Sequence, residues 1–195
     1  MTEERLMLIV EEMRRNNVNK YIIAFVRLHF QSGARISDML RINYTNISEN
    51  LNITIEQGKG SNPIFVSPIW DREEWRRIRE LKLSPFQNHT RHSFYRMYKK
   101  YGIIMNRGNG SYNSVTHFFR KNLAQDIMNE TDNLELVAKR LGHKNQRNAI
   151  YYTKNRPKNA RIDRGIINAG SGETDPVIQQ KNGIIRLTRV TKKRK

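Results

Sequence analysis

Six side chains spread along the chain carry groups that bind anions or exchange protons. They comprise two guanidinium groups, one ammonium group, two imidazoles and one phenol, at positions Arg35, Lys59, His117, Arg120, His143 and Tyr152. A guanidinium group donates paired hydrogen bonds to anions such as phosphate. Imidazole and phenol groups serve as acids, bases or nucleophiles. Together they would suit chemistry on a phosphate group, although each residue also has an ordinary structural interpretation.

Three of these residues stand beside predicted turns or helix ends. Arg35 follows a predicted helix end at Gly33, where an arginine is usually solvated or salt-bridged. Lys59 lies between two glycines of a predicted hairpin turn, which explains it as a turn residue. His143 directly follows Leu141-Gly142 at the predicted end of a helix, where a histidine can act as a cap.

The remaining candidates lie on predicted helices. His117 and Arg120 are three residues apart, so a helix places them on one face. Tyr151 and Tyr152 follow one another on an apolar-periodic helix, where a tyrosine more often packs in the core than reacts.

The positive charge is concentrated in the second part of the chain. Residues 1–80 carry 12 Lys or Arg and 11 Asp or Glu, whereas residues 81–195 carry 24 and 7. This polarity favours a partner with a phosphate backbone. An anionic membrane surface or simple solubility are the alternatives, but no basic helix has a wide apolar face. No apolar run approaches the length of a membrane span, which requires roughly 18 residues.

The hydrophobic periodicity predicts a mostly helical domain with one small sheet. The first 30 residues predict two helices. Gly33 ends the second of them, and a short helix follows from Ile36. The alternating segment 51–55 and the segment 64–66 predict a β-hairpin. Asp71 and Glu74 have the spacing of a capping box. Further helices are predicted over 72–81, 90–101, 116–129, 133–141 and 146–154, so the fold class is mainly α with a small antiparallel β-sheet (α+β).

Taken in order, these segments resemble the active-site series of the tyrosine recombinase (phage integrase) family. The resemblance covers about residues 20–155 and rests on five motifs, which are SGARISDML, the hairpin sequence GKG, THFFR, KRLGH and IYYT. The 23-residue step from Arg120 to His143 and the nine-residue step to Tyr152 are usual in the family. One such motif is a weak signal, whereas five in register are a strong one. The resemblance implies the tyrosine recombinase catalytic-domain fold.

The resemblance also implies a role for each candidate. Arg35 and Arg120 would clamp the scissile phosphate, with a hydrogen bond from His143. Tyr152 would be the nucleophile, and it would leave a 3′-phosphotyrosyl link and a free 5′-hydroxyl. The remaining two roles fall to His117 as the base and to Lys59 as the general acid. This chemistry needs no cofactor or metal, and the seven acids after residue 80 are not grouped near the candidate site.

The departures from the family pattern are small. Lys121 stands where a histidine is common, and Phe119 replaces the usual leucine. Tyr151 beside Tyr152 makes the nucleophile ambiguous, because helical neighbours point about 100° apart. The nine-residue spacing and the following Thr153 favour Tyr152.

The expected partner is double-stranded DNA, bound by a homo-oligomer in the cytoplasm or nucleoid. Basic residues expected to contact DNA are Lys121, Lys139, Arg140, Lys144, Arg147, Lys154, Arg156 and Lys158. We expect a catalytic domain over 1–165 and a basic extension over 166–195, flexible or packed on a neighbouring protomer, with no N-terminal core-binding domain. A type IB topoisomerase, a telomere resolvase and a non-catalytic DNA-binding regulator with this fold are the alternatives.

Overall fold

The computed structural model describes residues 1–58, 61–104, 117–153, 166–167, 178–181 and 184–187, with side chains described as far as Tyr151. The first helices are α1 (Glu3–Arg15), α2 (Lys20–Ser32), α3 (Ile36–Met39) and a 3₁₀ turn (Tyr44–Asn46). They are followed by strands β1 (Ile53–Ile55) and β2 (Ile64–Val66) and by helices α4 (Arg72–Glu80) and α5 (Arg91–Lys100). The later elements are α6 (Phe118–Thr131), α7 (Leu134–Arg140), α8 (Arg147–Thr153), β3 (Ile166–Ile167), β4 (Ile178–Lys181) and β5 (Ile184–Leu187).

Helix α2 is the central helix of the domain. Every residue from Ile22 to Ser32 is buried, so this helix has no solvent face over most of its length. Its polar side chains have partners inside the protein, as buried polar groups generally do, although the Arg27 Nε atom has none among the described residues. Arg27 pairs with Asp71, and Gln31 contacts the backbone of residues 67 and 69. Its own Phe25 and Phe30 pack against Phe94 and Phe119 of neighbouring helices in the main core.

The predicted β-hairpin is confirmed. Strands β1 and β2 are antiparallel, with Ile53 opposite Val66 and Ile55 opposite Ile64. The strand β3, which the sequence pattern did not predict, adds to the other edge of β2 and makes a three-stranded sheet. Strands β4 and β5 form a separate antiparallel pair within the predicted basic extension.

The predicted capping box at the start of α4 is wrong. Asp71 occupies the N-cap position, but its backbone is left-handed with φ 53° and its side chain does not cap the helix. Its Oδ1 instead accepts a hydrogen bond of 2.9 Å from Arg27 Nη1. A buried guanidinium requires a partner more than an exposed helix end requires a cap, because water can solvate the free N–H groups of the helix.

Helices α6, α7 and α8 form a second core at one end of the domain. Buried residues of this core include Leu123, Ile127, Val137, Leu141 and Ala149. Helix α8 packs on both α6 and α7 through this cluster. Within the part of the chain that the structure describes, no helix is both long and apolar enough to cross a membrane.

Candidate active site

The end of α2 packs directly against α6, and a glycine makes this approach possible. Gly33 ends the helix with φ 58°, in the left-handed region that glycine adopts without strain. A Cβ at this position would lie 2.8 Å from Leu123 Cδ2 and 3.3 Å from Arg120 Cα. The loop that carries Arg35 is therefore held beside the helix that carries Arg120.

Arg120 is fully buried and is fixed by backbone carbonyl groups. Its Nη1 donates to Gly33 O at 3.3 Å, and its Nη2 donates to Leu141 O at 2.6 Å. These two carbonyl groups terminate α2 and α7, so the guanidinium joins the ends of two helices. A guanidinium can do this because its planar fork presents several N–H donors in fixed directions.

Arg35 and Arg120 meet on a single oxygen atom. The side-chain oxygen of Gln57, which follows β1, accepts a hydrogen bond of 2.9 Å from Arg35 Nη1 and one of 3.5 Å from Arg120 Nη1. The two arginines are 85 positions apart in the sequence. Their guanidinium groups therefore converge on one point, where each can donate to an oxygen atom.

An acidic residue contacts the same nitrogen of Arg35 that donates to Gln57. Asp38 is 3% exposed, and its Oδ2 lies 3.5 Å from Arg35 Nη1. The same carboxylate accepts from Arg41 Nη2 at 2.9 Å and from the backbone N–H of Gly58 at 3.4 Å. This carboxylate balances part of the positive charge of the arginine pair and also contacts the turn after β1.

His143 completes this group of cations on the side of α7. Its backbone N–H donates to Ala138 O at 2.8 Å in the turn that ends the helix, and Gly142 adopts φ 66° there. Arg120 Nη2 donates to His143 Nε2 at 2.8 Å. A guanidinium is only a donor, so Nε2 is the acceptor and a neutral ring carries its proton on Nδ1. Burial, together with the charges of Arg120 and Arg35, lowers the pKa of His143 to about 4.

A buried histidine holds the loop that carries Arg35 through a hydrogen bond to its backbone. His29 on α2 donates from Nε2 to Ala34 O at 3.0 Å, and it accepts at Nδ1 from the hydroxyl group of Tyr98 at 2.6 Å. Burial, with a smaller contribution from His117, lowers the pKa of His29 to about 3. The ring therefore stays neutral and keeps these two hydrogen bonds at neutral pH.

The structure brings Arg35, Arg120 and His143 together and leaves the remaining predicted roles as predictions. His117 occupies the N-cap position of α6, one turn before Arg120. Tyr152 lies on α8, which packs on α6 and α7, whereas the adjacent Tyr151 is 75% exposed. Lys59 lies outside the described residues. Among the residues that are described, no group of three or more His, Asp or Glu could hold a metal ion.

The predicted DNA contacts fall mainly on the surface of α6 to α8. Lys121, Lys139, Lys144 and Arg147 are exposed, and Arg140 is half-buried. Lys121 directly follows the buried Arg120, so one helix turn presents one cation to the interior and another to solvent. The predicted contacts Lys154, Arg156 and Lys158 lie outside the described residues.

Three residues of this site were not predicted from the sequence to take part in it. Gln57 and His29 resemble an ordinary turn residue and an ordinary helix residue, and Asp38 stood in the first motif without an assigned role. A signal existed for Asp38, since it is three residues after Arg35 and so lies on the same side of a helical turn. No comparable spacing marks Gln57 or His29.

Comparisons with known proteins identify a family and a fold. The model of the family described as "Phage integrase family" matches residues 1–159. A comparison with curated protein sequences gives no match. Among solved structures, the catalytic domain of bacteriophage HP1 integrase is similar with a TM-score of 0.55 and 21% identity, over 80% of this chain and 88% of that one.

Two structures of the XerH site-specific recombinase are also similar. The pre-cleavage complex with difH substrate has a TM-score of 0.54 and 18% identity, and the match covers 78% of this chain and 49% of that one. The post-cleavage complex with a palindromic difH substrate has a TM-score of 0.56 and 18% identity, over 79% and 49%. The chain thus spans about half of the XerH protein. The family match and the shared fold lead to one conclusion, that this chain belongs to the phage integrase family and has the fold of a tyrosine recombinase catalytic domain.

Proposed function

We propose that this protein is a site-specific DNA recombinase or integrase that cuts and rejoins double-stranded DNA through a 3′-phosphotyrosyl intermediate, without a metal ion. One observation carries the proposal. Arg35 and Arg120 converge on a single oxygen atom, the Gln57 Oε1, with His143 bonded to the second of them. Two guanidinium groups that share an oxygen are suited to the non-bridging oxygens of a phosphodiester.

The reaction assigns a task to each group. The phenolic oxygen of Tyr152 attacks the phosphorus atom, and its proton passes to His117. Help is needed because an unperturbed tyrosine has a pKa of about 10. The bond from phosphorus to the 5′ oxygen breaks, and Lys59 gives that oxygen a proton. Arg35 and Arg120 stabilise the charge that develops on the non-bridging oxygens.

The neutral state of His143 fits a donor role. When a phosphate binds between the two arginines, His143 carries its proton on Nε2, the nitrogen that faces Arg120, and donates it to the same phosphate. Its pKa of about 4 keeps it in this form at neutral pH. Rejoining reverses these steps, because the phosphotyrosyl link conserves the energy of the broken bond.

Binding to DNA is proposed to use the cations around the site. Lys121, Lys139, Lys144 and Arg147 are exposed on α6, α7, the turn after His143 and α8. Contacts of this kind bind the backbone and fix the register without reading the base sequence. We further propose that a homo-oligomer assembles on DNA, with residues 1–165 as catalytic domain and 166–195 as basic extension.

Trapping of the covalent intermediate tests the proposal. The protein is incubated with a nicked suicide substrate that carries the DNA site to which it binds, and the protein–DNA adduct is measured with EDTA present. We expect an adduct that EDTA leaves unchanged. Tyr152→Phe should abolish the adduct while DNA binding is retained, and Tyr151→Phe is the matched control that should retain both.

The other outcomes separate the alternatives. Loss of the adduct in Tyr151→Phe alone would move the nucleophile to Tyr151. Binding without any adduct in the wild type would favour a non-catalytic regulator. Relaxation of supercoiled plasmid without exchange of strands between two sites would favour a topoisomerase-like activity.

A further inference from the structure

Gln57 stands at the centre of the candidate site, although it belongs to none of the motifs that carry the family resemblance. We propose that Gln57 is a positioning residue that fixes the position of the turn between β1 and β2 relative to the Arg35–Arg120 pair. The inference rests on the proposed function, because it predicts an effect on Lys59, which is the proposed general acid within that turn. It follows from the four hydrogen bonds that the Gln57 carboxamide makes.

The carboxamide oxygen aligns the arginine pair. It accepts from Arg35 Nη1 at 2.9 Å and from Arg120 Nη1 at 3.5 Å. Arg120 has its remaining contacts with carbonyl groups and His143, whereas Arg35 is 24% exposed and has more freedom. An acceptor shared between the two guanidinium groups sets the spacing between them before DNA binds.

The carboxamide nitrogen fixes the turn. Gln57 Nε2 donates to Asn62 O at 2.7 Å and to Leu141 O at 3.1 Å. The backbone N–H of Asn62 in turn donates to Gly142 O at 3.0 Å. Both arms of the turn, at 57 and at 62, are therefore attached to the segment that precedes His143.

The space around these contacts admits little else. A Cβ on Gly142 would lie 2.0 Å from Gln57 Nε2 and 2.4 Å from Asn62 O, so the turn rests directly on a glycine backbone. Only a carboxamide of this length offers an acceptor to two arginines and donors to two carbonyl groups. Glutamate would place an oxygen against both carbonyl groups, and methionine would provide neither a donor nor a strong acceptor.

The consequence concerns the departing 5′ oxygen. Lys59 is two residues after Gln57 and three before Asn62. Both described ends of the segment that includes Lys59, at Gln57 and Asn62, are attached beside the arginines, so loss of Gln57 should disturb the acid that this segment is proposed to supply. Loss of Gln57 should therefore impair protonation of the leaving group more than it impairs charge stabilisation.

Cleavage of two matched substrates separates these effects. One suicide substrate has the natural 5′ oxygen at the scissile phosphate, and the other has sulfur in its place. A thiol has a pKa of about 8.5, so the sulfur leaves without an acid. Single-turnover adduct formation is compared for wild type, Gln57→Met and Lys59→Ala, with Gln31→Met as control.

Gln31→Met is a suitable control because Gln31 is also a buried glutamine that joins two elements through backbone contacts, but its carboxamide bonds to residues 67 and 69 instead of the arginine pair. We expect Gln57→Met to slow cleavage of the oxygen substrate by about 100-fold and that of the sulfur substrate by at most about tenfold, since general-acid catalysis contributes roughly 10²–10⁴-fold. Gln31→Met should affect both substrates equally.

The inference would be overturned if Gln57→Met slowed cleavage of both substrates equally while the sulfur substrate restored cleavage by Lys59→Ala. If Lys59→Ala itself slowed cleavage of both substrates equally, the acid assignment and the inference would fail together.

Amide hydrogen exchange of DNA-free protein provides a measurement that needs no activity. We expect the Asn62 amide to exchange at least about tenfold faster in Gln57→Met than in wild type or Gln31→Met, and unchanged exchange would overturn the attachment of the turn.

Discussion

Replacement of Arg120 by lysine separates the shape of the guanidinium group from its charge. The wild-type side chain is fully buried and donates to Gly33 O, Leu141 O, His143 Nε2 and, at a longer distance, Gln57 Oε1. Lysine keeps the positive charge but concentrates its donors on one nitrogen atom. That atom cannot reach the acceptors on both sides of the fork.

The structure sets the magnitude of the effect on stability. Leu141 O also accepts from Gln57 Nε2, so the buried acceptors that depend on Arg120 are Gly33 O and His143 Nε2, and a single ammonium nitrogen leaves at least one of them without its donor. A buried polar group without a partner costs about 1–3 kcal/mol, so we expect Arg120→Lys to lower the free energy of unfolding by about 2 kcal/mol. With a urea dependence of about 2 kcal/mol per molar, the unfolding midpoint moves down by about 1 M.

Activity should fall by more than this loss of stability explains. Removal of one preorganised donor to a developing oxyanion costs about 10²–10³ in rate, and we expect a reduction of that size in adduct formation. The assay is single-turnover cleavage of the suicide substrate at low temperature, where the variant remains folded. Urea unfolding, followed by circular dichroism, measures the stability of the same samples.

Lys121→Ala is the control, because this neighbouring lysine is exposed and its loss should change stability by less than about 0.5 kcal/mol. An Arg120→Lys protein that unfolds at the wild-type urea concentration would refute the account of the buried acceptors of Arg120. Wild-type cleavage by that variant would refute the role of the guanidinium fork in the site.

Three further results are expected. Because the pKa of His143 is lowered to about 4 in the folded state, the unfolded protein binds the extra proton first, and the free energy of unfolding falls as pH drops from about 6.5 toward 4. His143→Gln should make this pH dependence weaker, as measured by urea unfolding at each pH. An unchanged dependence would contradict the expectation. Gly33→Ala should destabilise the protein by about 1–3 kcal/mol, and more than Gly102→Ala, which has a similar φ of 62° but where the added Cβ would lie 3.9 Å from the flexible Arg5 side chain. Equal losses in thermal unfolding would show that crowding against α6 is unimportant. Lys144→Ala should reduce the salt dependence of DNA binding by about one released counterion, whereas the control Lys20→Ala should leave it unchanged. Fluorescence titrations over a range of salt concentrations measure both, and a larger reduction in Lys20→Ala than in Lys144→Ala would contradict the expectation.

Several elements could be predicted because their signals are local. Gly33 and Gly142 end helices in the left-handed conformation that the sequence indicated, since glycine alone adopts it without strain. The hairpin of β1 and β2 follows from alternation and turn residues over a short segment. The cap at Asp71 was predicted incorrectly by the same local reasoning, because Arg27, far away in the sequence, competes for its carboxylate.

The sequence alone determined which chemical groups are present, in which order, and on which elements they lie. Their convergence was decided by tertiary structure, since Arg35 and Arg120 meet only where α2 packs on α6 across a glycine. The same packing recruits Gln57, whose role depends on contacts with three segments that are distant from it along the chain, at Arg35, Arg120 and Leu141. Local spacing encodes helices and turns because their hydrogen bonds span a few residues, whereas a site closed by long-range contacts exists only after the core has formed.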